Sequence, residues 1–119
     1  MRSFNDAMRE LGVNDSVTAF TSSEFGRTLT NNGNGTDHGW GGHQLVLGGA
    51  VAGGDIYGTM PDLEIGGPDD VGQGRILPSL SVDQYNATLA RWFGVPEEDM
   101  ESIFPYLSRF PVQDLGFIA

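Results

Sequence analysis

Between two short runs that read as strands, Ser16–Thr21 and Gln44–Leu47, lies a polar, Gly-rich stretch from Ser22 to His43. No other feature constrains the fold as strongly. The stretch holds Glu24, Asp37, Arg27 and both histidines, His38 and His43, with the turn-forming run Asn31-Asn32-Gly33-Asn34-Gly35 between them. It reads as a loop leaving one strand and entering the next. Carboxylates and imidazoles on loops at strand ends are how α/β proteins build metal and phosphate sites. Chemistry, if the chain has any, is expected here.

The rest of the chain supports an αβ arrangement. Phe4, Ala7, Met8 and Leu11 fall on one helical stripe. Ser3 is the expected cap, Asp6 lies in the first turn, and Gly12 is the stop. Asp55–Gly58 reads as a further short strand. Residues 61–80 are irregular, because Gly66-Gly67-Pro68 sustains neither helix nor strand. The clearest helix is 82–93, opened by the capping box Ser81/Gln84 and ended by Gly94, with Val82, Tyr85, Leu89, Trp92 and Phe93 as its apolar face. Glu97–Glu101 opens a short helix whose acids suit a helix N-terminus. The tail is apolar enough at Leu115, Phe117 and Ile118 to pack on something.

Length and charge exclude several classes. The 119 residues fit a single domain, 1–119. The net charge is −10, and all six basic residues are Arg. No basic footprint for nucleic acid exists, and an acidic surface is repelled by anionic membranes. No apolar run approaches the ~18 residues of a spanning helix, and Met1-Arg2-Ser3 leads into an amphipathic segment without a signal-peptide pattern. With no Cys, thiolate catalysis and Cys-type zinc sites are excluded.

Within the polar stretch each residue has two readings. Glu24 can ligate a divalent cation, accept from Arg, or stand as a solvated loop acid. Asp37-His38 can reach one metal or two neighbouring ones, or comprise a turn-capping Asp and a surface His. His43 is a third ligand or a first-strand His bonded to backbone. Arg27 binds an oxyanion through its planar fork, or pairs with an acid such as Glu24. Trp40 is a lid or a core anchor. Ser22, Ser23, Thr28 and Thr36 show no triad order. No segment has the register of a calcium loop or a phosphate loop.

Glu24-Phe25-Gly26-Arg27-Thr28, Asp37-His38, Val46–Gly54 with Ile56-Tyr57-Gly58, and Ser81–Tyr85 with Ala90–Gly94 together resemble the C-terminal part of the bacterial domain-of-unknown-function 1501 family. That family is sulfatase-like and grouped with the alkaline phosphatase/arylsulfatase superfamily. The resemblance implies an α/β fold, a partial alkaline-phosphatase/sulfatase-like sandwich of short, mostly parallel strands with flanking helices. It implies phosphate- or sulfate-ester hydrolysis with one or two divalent metals (Zn, Mg, Ca or Mn). Asp37-His38-Gly39 matches the superfamily's Asp-His-Gly ligand motif. A second register sets the superfamily's Asp-His pair at Ser23-Glu24 and keeps His38. The implied metal ligands are therefore Glu24, Asp37 and His38, with Ser23, Arg27 and His43 as accessories.

The nucleophile and first ligands of the superfamily belong to an N-terminal part that has no counterpart here, so the catalytic residues stay unknown. The expectation is the C-terminal segment of a larger domain, carrying half a site and inactive as an isolated chain. Self-association or docking to the missing N-terminal part follows, and full-length relatives are expected to be periplasmic or extracellular. The alternative is a non-catalytic exported binding protein whose Gly-rich loop is purely structural.

Overall fold

The computed structural model describes residues 1–119. It contains three helices, α1 (Arg2–Glu10), α2 (Val82–Phe93) and α3 (Glu97–Ile103), and four strands, β1 (Thr18–Phe20), β2 (Gly26–Asn31), β3 (Thr36–Gly39) and β4 (Val46–Gly48). Strand β1 pairs with β4 and β2 with β3, both antiparallel, in two two-stranded sheets.

This corrects the expected sandwich of mostly parallel strands. A parallel pair needs a crossover of a dozen or more residues, usually a helix. Here β2 and β3 are joined by residues 32–35 alone, and the longer connection from β1 to β4, residues 21–45, is taken up by the β2–β3 pair and holds no helix. Helix α1 precedes β1, and α2 and α3 follow β4, so no βαβ unit forms. The stretch 22–43 is not a loop either: most of it is the β2–β3 hairpin. Asp55–Gly58 forms no strand.

The chain divides into two compact units. The first comprises residues 1–20, 46–58 and 80–119; the second comprises 21–45 and 59–79.

In the first unit α2 forms as its sequence dictates. Ser81 Oγ accepts from the Asp83 N–H (3.1 Å), and Gln84 Oε1 accepts from the Ser81 N–H (2.8 Å). Gly94, at φ 102°, closes the helix, with its own N–H on Arg91 O and that of Val95 on Ala90 O. Helix α1 begins at Arg2 with Met1 as its N-cap, two residues before the expected cap Ser3, and has no side-chain capping bond.

The buried face of α2 differs from the expected stripe. Gln84, Ala87, Thr88 and Leu89 are buried, while Val82 and Phe93 are 61% and 84% exposed. The polar pair is buried because the tail meets it. Gln84 Nε2 donates to the Val112 carbonyl (2.6 Å), and Thr88 Oγ1 accepts from the Leu115 N–H (2.9 Å).

Ala87, Met100 and Leu107 form the core, flanked by Ala90, Val95 and Phe104. Phe117 is buried against the rings of Tyr57 and Tyr85, so the apolar tail does pack. Arg91 grips Glu97 with two 2.8 Å bonds and reaches the Gln113 carbonyl (2.7 Å). The Arg91 guanidinium holds the Glu97 carboxyl below its ordinary value.

In the second unit β2 and β3 are in register at Gly26↔Gly39 and Arg27↔His38, then again at Asn31↔Thr36 after a bulge in β2. The buried Thr28 spans the irregularity. Its Oγ1 donates to the Thr30 carbonyl and accepts from the Asp37 N–H, both at 3.0 Å, replacing a missing ladder bond. The hairpin tip is built by Asn side chains, with Asn32 Oδ1 accepting from the Asn34 N–H (2.9 Å).

Candidate functional site

The bulge in β2 decides what stands next to the hairpin. Residues freed from the β3 ladder turn to the segment 72–75. The Leu29 N–H donates to the Gly74 carbonyl (2.9 Å), and Thr30 Oγ1 donates to the Gln73 carbonyl (2.6 Å). Gly74 has φ 72°, and a Cβ there would lie 2.9 Å from the Leu29 backbone nitrogen, so the position requires glycine on both counts. The docked segment carries Arg75 to the same recess as Arg27.

One carboxylate holds that segment in shape. Asp70 Oδ2 accepts from the N–H groups of Gly66 (2.9 Å) and Gly74 (3.0 Å), and Oδ1 from that of Gly72 (2.8 Å). These bonds, Gly66 first, hold the carboxyl below its ordinary 3.8, against a smaller opposing effect of desolvation. The ionised form is therefore the one that orders the loop. Its contribution is complete above pH 3.8 and is lost as the pH falls from there through the lowered value of the folded state. The protection of the Gly66, Gly72 and Gly74 amides against exchange, relative to their intrinsic rates, is expected to fall across that window. In Asp70→Asn, which keeps only one oxygen, the loss of protection should already be present at neutral pH.

The recess itself is open, with a volume of about 510 Å³, and is lined by Arg27, Thr36, Asp37, His38 and Arg75. Arg27 Nη1 donates to the Thr36 carbonyl (3.1 Å). Arg75 Nη1 donates to the Gly72 carbonyl (3.1 Å) and to Gln73 Oε1 (2.8 Å). Neither guanidinium has a carboxylate within ion-pair distance; the ion pairs of the chain are Arg2–Asp6 and Arg91–Glu97. Arg27 thus does not pair with Glu24. In a chain of net charge −10, two of the six cations stand unneutralised at one recess.

His38 lies flat against Phe25, with ring centroids 3.9 Å apart and planes at 19°, and the Arg27 guanidinium carbon is 5.3 Å from the same Phe25 ring. The exposed Asp37 accepts at Oδ1 from Asn32 Nδ2 (2.7 Å). Of the residues expected from the sequence, Arg27, Asp37 and His38 therefore meet at the recess. Glu24 is exposed at a bend before β2, His43 is exposed between β3 and β4, and Ser23 Oγ donates to the Phe25 carbonyl (2.9 Å). None of the three lines the recess. Trp40, 67% exposed, is not a core anchor.

No group of three or more His, Asp or Glu side chains is placed to hold a metal ion. Glu24, Asp37 and His38 do not by themselves fit a metal cage, which needs at least three converging donors.

The family profile described as a protein of unknown function, DUF1501, matches residues 1–103. The chain belongs to the DUF1501 family. No curated protein and no solved structure matches it. The DUF1501 match spans α1, both strand pairs, α2 and α3, and so includes every residue of the recess. No helix of this DUF1501 member is long and apolar enough to cross a membrane.

Proposed function

We propose that this chain supplies the oxyanion-binding part of a phosphate- or sulfate-ester hydrolase-like site. Arg27 and Arg75 bind the charged oxygens, and His38 and Asp37 border them. One observation carries the reading: two guanidinium groups without carboxylate partners share one recess in a strongly acidic chain. Guanidinium forks match the geometry of phosphate and sulfate, and charge-assisted bonds of this kind are about twice as strong as neutral ones. The formal charges lining the recess are those of two arginines and one carboxylate, Asp37.

The test is titration calorimetry with inorganic phosphate and sulfate. Arg27→Gln and Arg75→Gln are each expected to weaken binding about tenfold, as loss of one charge-assisted contact implies. Asp37→Asn is expected to strengthen it by removing a like charge. Failure of the wild-type chain to bind either anion would sink the reading, as would full affinity in the double arginine variant.

A further inference from the structure

The tip of the β2–β3 hairpin carries the same dipeptide twice, Asn32-Gly33 and Asn34-Gly35. Asn-Gly is the dipeptide in which asparagine most readily loses its side-chain amide. Glycine has no Cβ to shield its backbone nitrogen, so that nitrogen reaches the preceding carboxamide carbon. Solvent access and backbone shape do not separate the two pairs. All four residues are exposed, and both glycines have positive φ, 92° and 140°, with open space where a Cβ would stand. The hydrogen bonds do separate them. The Gly33 N–H, whose nitrogen is the nucleophile for Asn32, donates to Asn31 Oδ1. The Asn32 carboxamide is held at both ends, with Nδ2 donating to Asp37 Oδ1 (2.7 Å) and Oδ1 accepting from the Asn34 N–H (2.9 Å). In the second pair neither reacting group is engaged: the Gly35 N–H and the Asn34 side chain make no hydrogen bond within the chain.

We infer that Asn34 is a site of spontaneous deamidation, converting to aspartate and isoaspartate, while Asn32 is kept intact by the bonds that shape the turn. The Gly35 nitrogen gives up its proton to hydroxide and attacks the Asn34 Cγ. A bond from that nitrogen to Cγ forms, the Cγ–Nδ2 bond breaks, and Nδ2 takes a proton from water and leaves as ammonia. Water then opens the resulting five-membered imide at either carbonyl carbon. One opening gives aspartate; the other gives isoaspartate, in which the main chain runs through Cγ. Water is the only co-reactant, and nothing is oxidised or reduced. Asn32 follows the same path only after Asn31 releases the Gly33 N–H and Asp37 releases the carboxamide. Having to break one ordinary hydrogen bond first slows a reaction by up to roughly tenfold. The product changes the hairpin. Aspartate places a new negative charge two residues from Thr36, and isoaspartate lengthens the main chain inside the turn closed by the Asn32 N–H on the Gly35 carbonyl (3.0 Å).

The experiment incubates the full chain at mildly alkaline pH and follows each asparagine by peptide mass spectrometry, with fragmentation that tells isoaspartate from aspartate. In the folded chain Asn34 is expected to convert about tenfold faster than Asn32, or more. In urea, where both dipeptides are free, the two rates should become similar. Both should rise with pH, because the attacking nitrogen must lose its proton. Asn31→Ala and Asp37→Ala each remove one restraint, and each should speed Asn32 while leaving Asn34 unchanged. Circular dichroism checks the fold of the two variants, and a variant that merely unfolded would instead bring both sites to their rates in urea. Equal rates at the two sites of the folded chain would overturn the inference, as would faster conversion of Asn32. So would an Asn34 that survives in the folded chain over a period that converts it in urea. An Asn32 rate unchanged in both folded variants would also refute it, since those bonds would then not be what protects the residue.

Discussion

Gly26→Ala is expected to collapse the recess and to cost about 3 kcal/mol of stability, the upper end for forced overpacking. The reason is a close approach of two backbones. A Cβ on Gly26 would overlap the carbonyl group of Gly41, and main-chain atoms cannot swing aside as a side chain does. Gly26 also faces Gly39 in the ladder, one position from the Arg27↔His38 pair. Relieving the clash therefore moves the end of the hairpin that holds Phe25, Arg27 and His38. Phosphate affinity should fall more than tenfold, and the backbone amide signals of residues 25–39 should shift. Gly42→Ala is the control. Its Cβ would have only the Gly26 Cα nearby, at 3.9 Å, an ordinary contact. A urea midpoint for Gly26→Ala indistinguishable from that of Gly42→Ala would show that the two backbones are not held so closely.

The contrast between helices and strands shows where sequence is informative. Helix α2 was legible because its signals are local: Ser81 and Gln84 bond each other's backbone, and Gly94 takes the left-handed turn. The acids of α3 act on a helix end within one turn. Strand pairing is not local. The run from Ser16 to Thr21 reads as a strand whichever partner it finds, and only the connections decide whether that partner runs parallel. For β2 and β3 the decisive information was the short link 32–35, and for β1 and β4 the absence of a helix from the connection 21–45. The hairpin had a signal of its own: Thr28 and Thr30 are β-branched residues two apart, and an Asn-Gly tip follows. The density of Gly and polar residues around it made the whole region read as loop.

The recess was legible in part for the same reason. Arg27, Asp37 and His38 lie within one hairpin, so proximity in sequence predicted proximity in space. Arg75 was invisible, because it arrives through a bulge in β2, a loop clamped by Asp70 and the bonds of Leu29 and Thr30 to residues 73 and 74. No spacing rule links residue 75 to residue 27. Glu24 shows the converse: it is only three residues from Arg27, yet the bend before β2 leaves it outside the recess. The buried Gln84 and Thr88 likewise follow from a tail nearly thirty residues away, which hydropathy alone assigns to neither face.

Met100→Ala is expected to be the most damaging of the core substitutions, at about 3 kcal/mol within the usual range for truncating a buried Met. Met100 is 2% exposed and packs with Ala87 and Leu107 at the centre of the first unit. Ala87 in the same cluster and Ala90 packed against it are small and have no longer side chain to swing into the space left behind. The cavity therefore stays open, and the cavity cost adds to the lost transfer energy. Against a total stability of about 5–15 kcal/mol for an ordinary domain, that loss is a large fraction. Met100→Leu, which keeps the volume, should cost less than about 1.5 kcal/mol. The sharper comparison is Phe93→Ala. Helical periodicity places Phe93 on the apolar face of α2, but it is 84% exposed, so its truncation should change stability by no more than about 0.5 kcal/mol. Urea denaturation of the three variants decides between pattern and packing. If Phe93→Ala proves as costly as Met100→Ala, the burial of α2 described above is wrong, because a side chain open to water has no cavity to leave.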